Sequence, residues 1–217
     1  MALQIDVISD VVCPWCFVGK RKLEAALALY RQKKPEAPEP ELIFHPFELN
    51  PGIAEEGVAR EEYVARKFGG ARGRQVYDRV TAIGRELGIA FAFDRIERQP
   101  NTRRAHMLIA MARLKGLQER VKEAFLAAYF VEGVDLSRRE NVEAVAVGAG
   151  LDAEDVSVTL DSPEALALVE AEEQEAQSIG VEGVPFFIFN RRVSLSGAHD
   201  PDILLQAMLQ AEEEAQA

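Results

Sequence analysis

The spacing of apolar positions changes twice along the chain. Over residues 3–9, LQIDVIS, the positions Leu3, Ile5 and Val7 fall in phase at every second residue, which predicts a strand. Residues 14–30 turn to helical spacing: Leu23, Ala26, Leu27 and Tyr30 share one face, and Pro14 suits the first helical position. Residues 33–41, KKPEAPEPE, are charged and proline-rich and read as a loop. Residues 41–50, ELIFHPFELN, predict a second strand, with Pro46 making its outer half an edge or a bulge. The N-terminal segment therefore reads β-α-β.

Between residues 54 and 179 the period is helical throughout. Val76, Val80, Ile83 and Leu87 form one stripe, and Val121, Ala124, Phe125, Ala128 and Tyr129 form another. Asp152 and Ser162–Pro163 are helix starts, and Gly88, Gly116, Gly150 and Gly180 are stops. The acidic run 169–177 reads as a solvated helix face. After Gly180 short strands return. PFFIFN (185–190) is apolar, and RRVSLSG (191–197) alternates, with a tight turn at Asn190–Arg191. Asp200–Pro201 opens a closing helix over 201–215 with Ile203, Leu204 and Met208 apolar. The predicted fold class is α/β: β-α-β and β-β-α segments share one mixed sheet with a helix on each face, and a large all-helical insertion lies between them. The bounds are 1–53 with 179–217 for the sheet unit and 54–178 for the insertion.

Composition narrows the function classes. Apolar residues make up 48% of the chain, enough for a packed core. No run of about 18 apolar residues occurs, so no membrane-spanning helix is expected. Asp6 and Asp10 interrupt the N-terminal apolar stretch, which argues against a secretory leader. The formal charge of −11 makes nucleic acid and anionic membranes poor partners. Cytoplasmic location is the expectation.

The chain has two cysteines, Cys13 and Cys16, within SDVVCPWCFVGK. One pair in a chain this long is no disulfide scaffold. Cys13 ends the loop after the first strand, and Pro14 opens the helix. A thiol at a helix start sits beside unsatisfied N–H groups and the positive end of the macrodipole, which favour the thiolate. Cys16 lies one turn further in and is expected to be the more covered. On this reading Cys13 attacks a disulfide and Cys16 resolves the mixed disulfide. Half of a zinc site and a pair of inert buried thiols are the alternatives. Against zinc, no second C-x-x-C exists, and His45, His106 and His199 have no paired ligand spacing. No metal site is expected.

A distant segment, VEGVPFFIFN (181–190), offers the other half of a site. Pro185 cannot donate to a ladder, so it belongs at a strand start or in a tight turn. If Val184–Pro185 is cis and faces the Cys13 loop, the Val184 backbone can pair with an extended substrate. An ordinary strand-start proline is the alternative.

The β-strand–CPWC–helix opening, the late Val-Pro and the interposed helices resemble the DsbA family of the thioredoxin superfamily. The ordered set SDVVCPWCFVGKRKLE, PFELNP, NTRRAH, YFVEG and GVPFFIFN is more closely similar to its FrnE-like branch, which resembles the 2-hydroxychromene-2-carboxylate isomerases. The resemblance spans nearly the whole chain. It implies a thioredoxin fold with a helical insertion, disulfide oxidoreductase or isomerase chemistry, and a cis bond at Pro185. Those isomerases typically carry serine where this chain has Cys13, which favours thiol–disulfide exchange.

The expected function is a disulfide reductase or isomerase working through the CPWC dithiol. Cys13 and Cys16 are catalytic; Pro14, Trp15, Val184 and Pro185 contact substrate. Trp15 could equally pack on the insertion. Asp10 reads as a loop cap, with a proton relay as the alternative; Asn101 and His106 match the pattern of the branch, but a helix cap and a core histidine explain them as well; Lys20, Arg21 and Lys22 read as a solvated face. No cofactor is needed beyond the Cys13–Cys16 pair, with glutathione as a potential co-substrate. Partners would be protein or small-molecule disulfides, and glutathione or a thioredoxin-type reductant. Two rivals stand beside this reading: a glutathione-dependent isomerase or transferase of a small aromatic compound, and a chaperone-like binder with incidental thiols.

Overall fold

The computed structural model describes residues 2–216. In chain order, β1 (Gln4–Ser9), α1 (Pro14–Lys33) and β2 (Glu41–Pro46) form the N-terminal unit. The intervening block holds β3 (Val58–Ala59), α2 (Arg60–Phe68), α3 (Gly70–Glu86), β4 (Arg98–Gln99), α4 (Arg103–Leu114), α5 (Gln118–Ala127), α6 (Arg139–Gly148), α7 (Ala153–Leu160) and α8 (Pro163–Ser178). The chain closes with β5 (Phe186–Phe189), β6 (Val193–Ser196) and α9 (Pro201–Gln216).

The main sheet has the order β2-β1-β5-β6, with β1 and β2 parallel and the other pairs antiparallel. Thus the β-α-β and β-β-α segments do share one mixed sheet. Being internal, β1 is buried on both sides: Ile5, Asp6, Val7, Ile8 and Ser9 are all covered. Ile5, Val7, Phe187 and Phe189 face a core built from Leu23, Leu27 and Tyr30 of α1 and Leu204 and Met208 of α9. Each fully buried phenylalanine there contributes about 2–3 kcal/mol of apolar burial. Ile8, Phe186 and Ile188 face the other way, toward Ala176 of α8 and Val181.

This corrects the expectation of one terminal helix on each face. Helices α1 and α9 pack on each other on the same face, and a helix of the intervening block covers the second. The reason lies in β1. Its second face carries an apolar residue, Ile8, that must be buried, and the terminal segments have no further helix to bury it.

The second strand stops at Pro46, not residue 50, because the next backbone groups leave the ladder. The Glu48 N–H donates to a Glu173 carboxylate oxygen at 2.7 Å, and the Leu49 N–H donates to Asp10 Oδ2 at 2.9 Å. As Pro46 suggested, β2 is an edge strand. Its outward backbone is not open at Phe44: Gln118 of α5 accepts from Phe44 N–H at 3.0 Å and donates to its carbonyl at 2.9 Å. An open strand edge is thereby capped by a side-chain amide.

The block is helical as predicted, apart from the two-residue ribbon β3–β4. Asp152 and Ser162 cap α7 and α8 with their side chains, and Gly88, Gly116, Gly150 and Gly180 all take positive φ. Asn190 and Arg191 form the hairpin turn with φ of 49° and 56°. The acidic face of α8 is not wholly solvated. Glu172 bonds His45 and Glu173 bonds Glu48, while Val169 and Ala176 point inward.

Candidate active site

Strand β1 delivers the chain to the loop 10–13, and α1 begins at Pro14. Cys13 is the residue before the helix, in extended conformation (φ −96°, ψ 111°), and its side chain makes no capping bond. Its carbonyl accepts from Cys16 N–H at 3.0 Å and from Phe17 N–H at 3.4 Å. Pro14 brings no N–H that would need a partner in the first turn. Both cysteines are free thiols, and they are almost equally covered, at 4% and 3% exposure. Cys16 is therefore the more covered only marginally, and Cys13 is itself buried, with the Val184 carbonyl against its sulfur.

The distant proline arrives at the same place. The Val184–Pro185 bond is cis, and the Cys13 thiol donates to the Val184 carbonyl at 3.5 Å. Pro185 is buried, and its carbonyl accepts from Gly197 N–H at 2.8 Å. Pro14, Trp15 and Val184 are half-buried. Trp15 packs on the main core, while Val184 joins Phe47 and Phe186 beside Ile8. The structure thus brings Cys13, Cys16, Val184 and Pro185 together, with Pro14 and Trp15 on the turn between the thiols.

Beneath the thiols lies a polar layer. Asp10 is fully buried. It does not cap its own loop: Oδ2 accepts from Leu49 N–H, and Oδ1 lies 3.2 Å from His106 Nε2. Burial acts to raise the Asp10 carboxyl. The hydrogen bond and charge of His106, the Leu49 N–H and the Lys122 charge outweigh it, and the group is held below the ordinary carboxylate value. The Cys16 thiol is pushed well above its ordinary value by burial, and further by its hydrogen bond with Cys13 and the Cys13 charge. Asn101 stands one residue before the cap position of α4, which is Thr102, and from there its Oδ1 accepts from Arg103 N–H at 2.9 Å.

Three residues of this region escape a reading of the sequence. Gly19 sits against Pro185: a Cβ there would lie 2.8 Å from the ring Cγ. A glycine inside a helix pattern is the legible signal, since it weakens the helix and calls for a packing reason. Lys122 of α5 is buried at 1% exposure, and its ammonium donates to the Ser9 carbonyl at 3.4 Å. Its signal is a lysine aligned with Phe125, Leu126 and Tyr129 on a buried helix face. Lys20, read as solvated, is only 6% exposed, bonded to Glu24 and lying 3.2 Å from Glu119 and 3.0 Å from Glu123. Arg21 also bonds Glu24 and Glu123, so these charges tie α1 to α5 instead of facing solvent.

Among the described residues no three His, Cys, Asp or Glu side chains converge to hold a metal ion. No helix among them is long and apolar enough to cross a membrane. Among the described residues, surface hollows of about 330, 440, 420 and 600 Å³ lie elsewhere, and none of these four is lined by Cys13, Cys16, Val184 or Pro185.

No curated protein sequence matches this chain. Among solved structures, it is similar to a "probable DsbA oxidoreductase" from Streptomyces coelicolor, at 32% identity and TM-score 0.87, over 98% of this chain and 91% of that one. The fold is shared with the cytosolic disulfide reductase DsbM from Pseudomonas aeruginosa, in its structure with GSH, at 18% identity and TM-score 0.62, over 99% and 100% of the two chains. It is also shared with a 2-hydroxychromene-2-carboxylate isomerase at 16% identity and TM-score 0.65, over 99% of each chain. The DSBA-like thioredoxin domain matches residues 4–209. A thioredoxin-like mixed sheet, a helical block between its halves and this match over nearly the whole length lead to one conclusion: the chain belongs to the DsbA-like thioredoxin family.

Proposed function

We propose that this chain is a thiol–disulfide oxidoreductase that reduces or isomerises substrate disulfides through Cys13 and Cys16. The observation that carries the reading is the 3.5 Å approach of the Cys13 thiol to the carbonyl of Val184, at the cis bond to Pro185. A reactive thiol at a helix start and a backbone segment able to align an extended chain stand side by side there. Pro14, Trp15, Val184 and Pro185 form the contact surface for the substrate.

The Cys13 thiolate attacks one sulfur of the substrate disulfide. That bond breaks, one substrate thiolate leaves and takes a proton from water, and a mixed disulfide joins Cys13 to the other half. Cys16 then loses its proton and attacks the Cys13 sulfur. The second substrate thiolate leaves, and the Cys13–Cys16 disulfide holds the oxidising equivalents; two electrons have passed to the substrate. Glutathione or a thioredoxin-type reductant restores the dithiol. In the cytoplasm the glutathione pool would keep the pair reduced, which sets the direction toward reduction and isomerisation. The FrnE-like branch is where the motif set places the chain within its family.

The test is turnover of a peptide disulfide with glutathione as reductant. The parent is expected to turn over, and Cys13→Ser to be inactive. Equal turnover by Cys13→Ser overturns the proposal.

A further inference from the structure

The helical block has a hollow of about 600 Å³ that the dithiol chemistry does not use, walled by α2, by Tyr77 of α3 and by the segment 93–97. Arg60, the first residue of α2, lines it and is half-buried. Lys20, Arg21, Arg103, Arg104 and Arg139 each pair with a carboxylate, whereas Arg60 pairs with none among the described residues. The acceptors it does have are neutral. Nη1 donates to Gln99 Oε1 and, at 3.4 Å, to the Tyr129 hydroxyl, and Nη2 donates to the Tyr77 hydroxyl at 2.7 Å. A guanidinium carries five N–H donors, so one on Nε and one on Nη2 are left over, and these two nitrogens form an edge suited to a carboxylate. The rings of Tyr63 and Tyr77 pack against the guanidinium at 5.5 and 5.1 Å. A second feature favours an anion at the same place. Ala59, at the cap position of α2, offers no side-chain acceptor to the first turn, and Ala59, Arg60 and Glu61 all line the hollow.

We propose that this hollow is a binding site for a small monocarboxylate with an apolar body, held by its carboxylate on Arg60. The rest of the lining suits such a body. Tyr77 and Phe93 present half-buried rings with centroids 4.6 Å apart, and Val64 and Ile96 add aliphatic surface. A site of this kind, mostly apolar with one placed charge, is the usual form of a small-molecule pocket. Glu61 and Glu97 also line the hollow, both are exposed, and neither forms an ion pair with Arg60. Their charges limit what can enter. A single carboxylate is matched by the one guanidinium, whereas a phosphate monoester or a dicarboxylate brings a second negative charge that meets only like charge. Binding makes and breaks no covalent bond, and it does not depend on the oxidoreductase reading, since none of Cys13, Cys16, Val184 and Pro185 lines the hollow.

Isothermal titration of the full-length protein tests this with four probes. Octanoate and 3-phenylpropionate carry one carboxylate on a chain or a ring; 3-phenylpropanamide is uncharged, and phthalate is doubly charged. At least one monocarboxylate is expected to saturate a single site, and the tighter of the two identifies the body as chain or ring. The amide and phthalate are expected to bind at least about tenfold more weakly. Arg60→Gln is expected to weaken the monocarboxylate between about tenfold and a hundredfold, the loss of a charge-assisted hydrogen-bond pair. Arg60 also holds Tyr77 and Gln99, so a second variant leaves it in place. Ala65 is exposed on α2 and lines the hollow, and Ala65→Trp is expected to fill it and abolish binding. Absence of saturable binding by both monocarboxylates overturns the inference. So does equal affinity for the amide or phthalate, or unchanged binding by Ala65→Trp or by a folded Arg60→Gln protein.

Discussion

Gly19 supports Pro185 from below: a Cβ on the glycine would approach the proline ring Cγ to 2.8 Å and Phe187 Cζ to 3.3 Å. One helix thus offers Cys13 at its start and, further along, the flat spot on which the cis-proline segment rests. Gly19→Ala would gain about 1 kcal/mol in helix propensity. Forcing a methyl against a stiff ring costs about 1–3 kcal/mol. The variant is expected to be less stable than the parent by urea denaturation, and slower with a peptide disulfide because Val184 is displaced from Cys13. A more stable and equally active variant would show that the contact has slack.

Asp10 is expected to make an acid-sensitive contribution to stability. Its carboxyl is held below the ordinary value even though burial opposes this. Such a group stabilises the fold above its unfolded pKa of about 3.9, and the contribution is lost as pH falls through the folded value. Asp10→Asn is expected to cost about 3 kcal/mol near neutral pH, because it breaks a buried pair with His106. The urea midpoints of parent and variant should converge in acid. A gap that stays constant with pH contradicts the charged pairing.

His45 has the opposite dependence. Its ring nitrogens lie 2.9 Å from Asp6 Oδ1 and 3.2 Å from Glu172 Oε2, joining the sheet to α8. Burial alone would lower its pKa, but Asp6 and Glu172 raise it from 6.5 to about 9. Stability from the charged imidazole is therefore complete below the unfolded value and lost as pH rises through about 9. His45→Gln is expected to cost on the order of 2 kcal/mol at mildly acidic pH, the gap narrowing in alkali. Thermal melts across that range check it. A gap that widens with rising pH contradicts the assignment.

Gln118 makes a separate prediction about the sheet edge. Gln118→Ala leaves the Phe44 N–H and carbonyl without their partners and is expected to cost about 1–3 kcal/mol. Hydrogen exchange at Phe44 should rise in that variant. Unchanged protection would mean that other groups close the edge.

The parts of this fold that the sequence makes legible are those written in contiguous residues. Strand alternation, helical period, Asp152 and Ser162 caps and glycine stops each act within a few positions, and each is found in the structure. The two halves of the candidate site are also local motifs, CPWC and Val-Pro. What brings them together is the pairing of β1 with β5, in which Ile8 stands opposite Phe186. Burial of charge is not legible in this way. Lys20 looks solvated because its carboxylate partners Glu119 and Glu123 lie on another helix. Asp10 and His106 are far apart in the chain, and each alone has a bland explanation; only the docking of α4 on the sheet makes them a pair. The β3–β4 ribbon is too short to show a period. The face covered by α8 depends on how the block folds back, which no local pattern carries.

The division of labour between the two thiols is tested most directly by trapping. Cys16→Ser and Cys13→Ser proteins are reduced, mixed with a peptide disulfide and read by intact mass under non-reducing conditions. Cys16→Ser is expected to accumulate a one-to-one mixed disulfide, mapped to Cys13 and released by reductant, because the resolving sulfur is missing. Cys13→Ser is expected to form no such adduct. An adduct on Cys16 in the Cys13→Ser protein, or turnover by both variants without a trapped intermediate, would contradict the assignment of attack to Cys13 and resolution to Cys16.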